Sequence, residues 1–271
     1  HRLHRQCLPV IWNYKNSVIV MPVRNIIFSI CLTLLSLTAS ASDIFDDVGW
    51  KGRLGYSIGG VAPVGLPATI RGLNNYRLQP NLSIGVDATK PIKGQWSLLL
   101  GLHFENKGMN EDARVKNYYE QIERGSERLE GRFTGDVTTI VREWMFTVPL
   151  QAVWHANAHL NLRVGPYVSY LTSKSFTGYA HNGYLRVGDP TGPKVILGND
   201  VENRGSYDFS DNMRRMQCGV ALGADLHLRD RLGAYADLSW GLSGVHNGDF
   251  KVIEQTLYPI FGTIGLTYTI K

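Results

Sequence analysis

Apolar and polar residues alternate in eight successive stretches between Trp50 and Lys271, and the connections between them are alternately long and short. This alternation is typical of strands with one apolar face, because successive side chains of a strand point to opposite sides of the sheet. A sheet in lipid must close on itself, since no water is present to satisfy an open edge. We therefore predict an all-β fold, an eight-stranded antiparallel up-and-down transmembrane β-barrel.

The predicted strands cover residues 50–61, 78–88, 95–105, 139–154, 160–172, 215–228, 232–242 and 257–270. Three short connections, at 90–94, 155–159 and 229–231, are typical of periplasmic turns, and four long ones, at 63–77, 106–138, 173–214 and 243–256, of extracellular loops. An even number of strands returns both termini to one side, which we predict to be the periplasm.

The two faces of these strands differ in chemistry. Aromatic residues recur on the apolar face at Trp96, Trp144, Trp154, Trp240 and Tyr268, as in the aromatic girdles of membrane barrels. A soluble lipocalin-type barrel is the alternative, but it requires the apolar face inside. The polar face carries charges of both signs, at Arg53, Asp87, His103, Glu105, Glu143, Arg163, Arg215, Asp225 and Asp237. Eight strands leave an interior that side chains fill, so we expect these charges to pair as a plug and disfavour a wide porin.

A leader precedes the predicted barrel. Arg24, an apolar run of twelve residues at 26–37 and an Ala-Ser-Ala cleavage site at 39–41 identify residues 21–41 as a secretory signal peptide. The run is shorter than the roughly 20 residues of a transmembrane helix. Residues 1–20 are interpreted as a non-native upstream extension and 42–271 as the barrel domain.

Charge and cysteine content exclude other classes of protein. The whole chain has a formal net charge of +5, but residues 1–41 contain four of its 28 bases and no acid, so 24 bases face 23 acids in residues 42–271. This balance leaves no basic domain for nucleic acid. Only Cys218 remains after cleavage of the leader, so no internal disulfide can form.

We predict no enzyme activity, no cofactor and no metal site. The sequence of the predicted mature chain has no His-Glu-x-x-His or Cys-x-x-Cys motif. The rival interpretation is a catalytic cluster of His103, Glu105 and Glu143 at the outer rim, for which a polar plug is the simpler explanation.

The long loops contain the candidate binding residues. Tyr118, Tyr119 and Ile122 have near-helical spacing, which favours a short amphipathic helix that caps the barrel or contacts a partner. Tyr179, Tyr184 and Arg186 lie in a segment rich in turn residues. Such a segment suits contact with a glycan or peptide, and it equally suits a hairpin that extends the barrel wall.

Three segments resemble the PorT-like outer-membrane β-barrel family of Bacteroidetes-type bacteria. They are FTVPLQAVWHANAHLNLRVGPYVSYL at 146–171, MRRMQCGVALGADLHL at 213–228 and FGTIGLTYTI at 261–270. The resemblance implies that Pro166 is an expected feature of the fifth strand. It also implies an outer-membrane location, although the terminal aromatic residue usual in the family is replaced here by Ile270.

These observations predict an integral outer-membrane protein with a structural, adhesive or binding role. Its expected partners are outer-membrane lipid, the barrel assembly machinery during biogenesis, and an extracellular or envelope protein or glycan. The alternatives are a component or accessory of a secretion or transport assembly and, less favoured, an enzyme with its site at the rim.

Overall fold

The computed structural model describes residues 47–65, 67–125, 127–250, 252–253 and 255–270. The predicted upstream extension and signal peptide, residues 1–20 and 21–41, lie outside the described residues. Within the described part, no helix is long and apolar enough to cross a membrane.

The described chain is almost entirely β-structure. Its strands are β1 (Gly49–Pro63), β2 (Ile70–Tyr76), β3 (Leu82–Lys93), β4 (Trp96–Arg124), β5 (Glu127–His155), β6 (Leu160–Val187), β7 (Lys194–Leu197), β8 (Gly205–Asp208), β9 (Met216–Arg229), β10 (Leu232–Gly241) and β11 (Leu257–Thr269). A single turn of 3-10 helix spans Ser210–Asn212.

Eight of these strands form a closed ring in the order β1, β3, β4, β5, β6, β9, β10 and β11. Every neighbouring pair is antiparallel, and β11 pairs with β1 from Lys51↔Thr269 to Pro63↔Leu257, which closes the ring. The predicted eight-stranded antiparallel barrel is confirmed. Closure gives every barrel strand a hydrogen-bonded neighbour on both sides, as a sheet in lipid requires.

Three strands are much longer than a membrane requires. β4 and β5 have 29 residues each and β6 has 28, whereas about 9 to 11 residues cross a bilayer. The prediction of loops at 106–138 and 173–214 was therefore wrong for most of their length. We call the part of the molecule beyond the girdle residue Trp144 the head: residues 106–143, 171–215 and 242–257, together with β2.

The helix predicted around Tyr118, Tyr119 and Ile122 is replaced by the β4–β5 hairpin, which turns at Gly125. A separation of four residues places two side chains on the same face of a helix and also on the same face of a strand. Tyr118 and Ile122 face the interior of the head, and Glu120 lies between them on that face. Because the charged Glu120 interrupts the apolar face, the sequence does not show the period-two alternation of a strand here.

The short strands complete the head. β2 pairs with β4, and β7 pairs with β6 from Gly183↔Leu197 to Arg186↔Lys194. β8 pairs with β6 on one side and, at Glu123↔Ser206, with β4 on the other. The segment at 178–195 therefore forms the wall-extending hairpin that the sequence left open as an alternative.

The outward face of the barrel is apolar between two rows of aromatic side chains. Trp96 and Trp154, with ring centroids 6.5 Å apart, lie near the short turns, whereas Phe104 and Trp144, 5.2 Å apart, lie near the head. Leucine, isoleucine and valine side chains between these rows are exposed, among them Leu54, Ile84, Leu100, Leu222 and Leu266. This arrangement confirms the predicted lipid-facing set.

The inward face at the same level is filled by an ion-pair network. Arg53 lies 3.0 Å from Asp87 and 2.7 Å from Asp237, and Arg163 lies 2.9 Å from Asp225 and 2.5 Å from Asp237. Shared partners of opposite charge offset the cost of burying these groups. The prediction of an inward Arg215 was wrong. It precedes β9 and is exposed, because the strand that would orient it begins one residue later.

Inward glycines make room for the large side chains of this network. A Cβ atom at Gly55 would collide with the hydroxyl of Tyr235, whose ring lies under the guanidinium of Arg53. A Cβ at Gly219 would collide with the ring of Tyr167 in the same way. These contacts support the interpretation that glycine relieves crowding in a narrow interior.

The head has the opposite arrangement, with an apolar interior. Its buried core includes Met109, Ile122, Phe133, Phe176 and Leu185, which are all nearly inaccessible to solvent. Water surrounds the head, so its apolar side chains point inward, as in a soluble protein. The molecule therefore has a polar interior where its surroundings are apolar and an apolar interior where they are aqueous.

Candidate binding face of the head

A row of basic and aromatic side chains crosses the outer surface of the head. The strand registers place Tyr119 opposite Arg132, Arg132 opposite Arg186, and Arg186 opposite Lys194. Residues directly opposite in neighbouring strands share one face of a sheet. Four strands therefore contribute one residue each to a single row, which includes three cations at a strand spacing of about 4.8 Å.

Aromatic rings accompany the cations of this row. The guanidinium of Arg132 lies 5.6 Å from the ring centroid of Tyr119. Tyr184 belongs to the adjacent row, two residues before Arg186 on β6, and its ring lies 4.4 Å from Lys194 Nζ and 6.0 Å from the Arg186 guanidinium. Such contacts hold long side chains in place and reduce the entropy lost when a ligand binds.

Polar, apolar and acidic side chains lie beside the row of cations. Thr134 and Ile196 lie on either side of Tyr184 in its own row, and Ile196 is exposed. On the side nearer the β4–β5 turn at Gly125, Glu130 interacts with the Tyr119 hydroxyl. Burial, together with this carboxylate, raises the pKa of Tyr119. Glu130 is thus an acidic group next to the row of cations. We define Tyr119, Arg132, Tyr184, Arg186 and Lys194 as the basic–aromatic face.

Three of the five candidate binding residues from the sequence lie together on this face: Tyr119, Tyr184 and Arg186. The other two lie elsewhere. Tyr118 packs against the apolar core of the head. Tyr179 lies opposite Thr138 and Ser206, seven residues before Arg186 on β6, and the guanidinium of Arg204 covers its ring at 4.1 Å.

Sequence reasoning missed Arg132 and Lys194. Arg132 was treated as part of the predicted loop at 106–138, and Lys194 as part of a turn-rich loop. Only the registers of β5 with β6 and of β6 with β7 bring these two residues beside Arg186. No local sequence signal predicts such a pairing, since the partners are separated by up to 54 positions.

The cluster proposed as a rim enzyme lies within the plugged interior. His103 Nε2 is 2.7 Å from Asp87 Oδ1, and Glu105 accepts a hydrogen bond of 2.6 Å from Thr147. Glu143 accepts a hydrogen bond of 2.9 Å from Gln217. Each of these groups is buried and has its own partner, an arrangement that fits a structural plug.

The end of the barrel with the short turns contains a polar vestibule of about 540 Å³, lined in part by Lys51, His155 and Asn161. His155 joins two strands there, with Nε2 2.7 Å from Ser97 Oγ and Nδ1 2.7 Å from Asn161 Oδ1. The Ser97 side chain is only 2% exposed, so these bonds tie the ends of β4, β5 and β6 together. Among the described residues, no group of three or more metal-ligating side chains is present.

Comparison with known proteins agrees with this architecture. The profile of the family described as outer membrane protein beta-barrel domain matches residues 39–247, which include seven of the eight barrel strands. The chain belongs to this family. As an outer-membrane β-barrel domain protein, it resides in the outer membrane, with its apolar belt against lipid.

Several solved outer-membrane structures resemble this β-barrel domain protein at low identity. Ail of Yersinia pestis has 9% identity and a TM-score of 0.34, with 82% of this chain and 97% of Ail covered. CarO of Acinetobacter baumannii has 11% identity and a TM-score of 0.40, with coverages of 81% and 96%. The translocator domain of NalP from Neisseria meningitidis has 12% identity and a TM-score of 0.24, with coverages of 90% and 97%. No curated protein matches the chain.

Proposed function

We propose that this chain is an adhesive or binding protein of the outer membrane whose basic–aromatic face binds an acidic polysaccharide outside the cell. The observation that carries the proposal is the row formed by Arg132, Arg186 and Lys194 beside the rings of Tyr119 and Tyr184. Binding is its role, and the proposed function includes no catalysis.

The chemistry of the row suits a polymer with repeated anionic groups. Guanidinium and ammonium groups form strong, charge-assisted hydrogen bonds with sulfate and carboxylate oxygens. Tyrosine supplies rigid contact area at little cost in conformational entropy, and its ring provides an apolar surface for a sugar. The three cations extend over about 10 Å across β5, β6 and β7, so an extended polyanion can meet them in succession.

The proposal also includes the orientation of the barrel in the membrane and its family subgroup. With both termini in the periplasm, the head projects from the cell surface, where a polysaccharide is accessible. We assign the chain to the PorT-like group on the segments at 146–171, 213–228 and 261–270. Cysteine labelling in intact cells tests the orientation, since a cysteine at exposed Val201 must react with an impermeant reagent and one at exposed Arg229 must not.

The binding experiment compares dextran sulfate with uncharged dextran on the refolded, full barrel in detergent. The wild type is expected to bind dextran sulfate, with an affinity that falls as salt is added. The triple variant R132A/R186A/K194A is expected to lose about tenfold or more in affinity, because it removes three charge-assisted contacts. Neutral dextran is expected to bind weakly or not at all.

The matched control is K93A/R229A/R231A, which removes the same charge from exposed positions at the opposite end of the barrel. Its affinity for dextran sulfate should equal that of the wild type. If both triple variants lose affinity equally, binding reflects net charge alone and the proposed face is wrong. Folding of each variant is verified by the shift in gel mobility on boiling.

A further inference from the structure

The head contains a cavity of about 80 Å³ that is separate from the basic–aromatic face. Its described lining includes Glu111, Glu120, Tyr118, Phe176, Tyr207 and Phe209, and the rest is almost entirely aliphatic. Two carboxyl groups line the cavity, whereas none of the described lining residues is lysine, arginine or histidine. The cavity lining is therefore acidic and largely apolar.

Glu120 is the unusual member of this lining. Its side chain faces the interior from β4, the residue is only 3% exposed, and Oε2 has no hydrogen-bond partner among the described residues. A buried carboxyl oxygen without a partner is costly, and such groups in native proteins generally have an explanation. Burial raises the pKa of Glu120 to about 8. The head therefore retains a poorly solvated acid within its apolar core.

Glu111 adds a second carboxyl to the same cavity. Burial raises its pKa above the usual value, and the neighbouring Asp112 acts in the same direction. Burial raises the pKa of Tyr207 most, and the charges of Glu120 and Glu111 raise it further. The three side chains therefore interact electrostatically. The lining thus contains two carboxyls whose ionised form a cation would stabilise, in a space without a described basic residue.

Aromatic rings form one wall of the cavity. The ring centroids of Tyr207 and Phe209 are 5.1 Å apart, and Phe176 lies 6.5 Å from Tyr207 and 6.3 Å from Phe209. The Tyr207 hydroxyl lies 2.9 Å from Thr139 Oγ1, which fixes the ring against the wall. The faces of aromatic rings attract cations, and this attraction is strongest where water is excluded.

These features select one class of ligand. Calcium and magnesium ions require about six or more oxygen ligands, and zinc prefers cysteine and histidine, so this mainly aliphatic lining suits none of them. A short primary ammonium ion carries a positive charge that pairs with the two carboxyls. Its N–H groups can also donate a hydrogen bond to the unpartnered Glu120 oxygen. We propose that the head cavity is a binding site for a small primary alkylammonium group, of about the size of ethylammonium.

The cavity volume agrees with this size. Since one water occupies about 30 Å³ in the liquid, 80 Å³ accommodates two or three waters or one molecule of a few heavy atoms. The ammonium group lies toward Glu120 and Glu111, and the alkyl part lies against the aromatic wall. The proposal does not depend on polysaccharide binding, because the basic–aromatic face is on the opposite surface of the same strands.

Isothermal titration calorimetry of the refolded, full barrel with ethylammonium chloride tests the site. Ethanol serves as the uncharged probe of similar shape, and sodium chloride corrects for ionic strength. The wild type is expected to bind ethylammonium saturably, with one site per chain, and ethanol at least about tenfold more weakly. Absence of saturable ethylammonium binding, or equal binding of ethanol, would mean that the cavity holds water only and would overturn the proposal.

Three variants locate the binding in the cavity. E120Q is expected to reduce the affinity for ethylammonium about tenfold or more, because it removes the charge opposite the ligand. A113L fills the space without changing the charge and should abolish binding. E202Q makes the same chemical change as E120Q at an exposed position and should leave the affinity unchanged. If E120Q and A113L both bind as the wild type does while remaining heat-modifiable, the site is wrong.

Discussion

Lys107 Nζ lies 3.2 Å from Glu105 Oε2, and this buried pair marks the level at which the interior changes from polar to apolar. Below it on the inner face of β4 lies His103, and above it lies Met109. All these residues belong to one continuous strand and point to the same side. The environment outside the strand changes from lipid to water, and the interior changes its character in response.

The first prediction concerns the lipid-facing belt. Leu100→Arg is expected to reduce the free energy of unfolding by about 2 to 4 kcal/mol, because it places a charge in the apolar centre of the bilayer. The measurement is urea-dependent folding into lipid vesicles. The control is Leu73→Arg on β2 of the head, where leucine is 58% exposed compared with 53% at Leu100. This control should change stability by no more than about 0.5 kcal/mol.

The second prediction concerns the interior network. Arg163→Ala removes the cation that Asp225 and Asp237 share, and it leaves Asp225 with only Lys51, 4.0 Å away. We expect a loss of about 3 to 5 kcal/mol, because a buried ion pair loses one partner. Denaturant titration of the refolded barrel measures this change. Arg229→Ala, which removes an exposed arginine 3.8 Å from Asp230, should have no measurable effect. Comparable stability of the two variants would contradict the structural role of the network.

The third prediction separates the head from the barrel. Phe133 is fully buried in the apolar core of the head, and Phe133→Ala is expected to cost the head about 3 to 5 kcal/mol. The membrane part does not contain this side chain, so the heat-dependent change in gel mobility should persist. Limited proteolysis should then cleave the variant in the head and leave the wild type intact. Ile196→Ala, at an exposed position on β7, is the resistant control.

The fourth prediction concerns the pH stability of the head. His246 packs between the rings of Phe176 and Phe250, and burial, together with the charge of Lys174, lowers its pKa to about 4. The unfolded chain takes up the proton near pH 6.5, and the folded head only near pH 4. The contribution of His246 to stability is therefore complete above pH 6.5 and falls by up to about 3 kcal/mol as the pH decreases to 4.

The control for this pH effect is His246→Gln, which cannot titrate. Urea unfolding of both proteins, monitored by circular dichroism between pH 4 and 8, gives the difference due to His246. The difference should grow only on the acidic side of pH 6.5. A difference that is constant with pH would show that the histidine has the same affinity for protons in the folded and unfolded states.

The fifth prediction concerns the border of the basic–aromatic face. Glu130 is the carboxylate next to Tyr119, and it opposes the approach of a polyanion. Glu130→Gln should therefore strengthen the binding of dextran sulfate, most clearly at low salt. Direct titration at two salt concentrations measures this effect. Weaker binding by the variant would mean that Glu130 accepts a hydrogen bond from the ligand rather than repelling it.

Prediction from sequence succeeded where one physical rule applied along a whole strand. The apolar residues at every second position, Leu98, Leu100 and Leu102, identify a lipid-facing strand, because lipid demands an unbroken apolar face. It failed for Tyr118 and Ile122, whose separation of four residues fits a helix and a strand equally well. In the head, turns, charges and apolar residues alternate less regularly, since part of each strand faces water.

The sequence by itself determined the barrel: its eight strands, their lipid-facing sides and most of the charged residues of its interior, because each follows from a period of two within a single segment. Only the tertiary structure decided the length of the head strands, the enclosure of Glu120 and the row formed by Arg132, Arg186 and Lys194. These features depend on register between segments far apart in the chain, and register is set by the packing of all strands together.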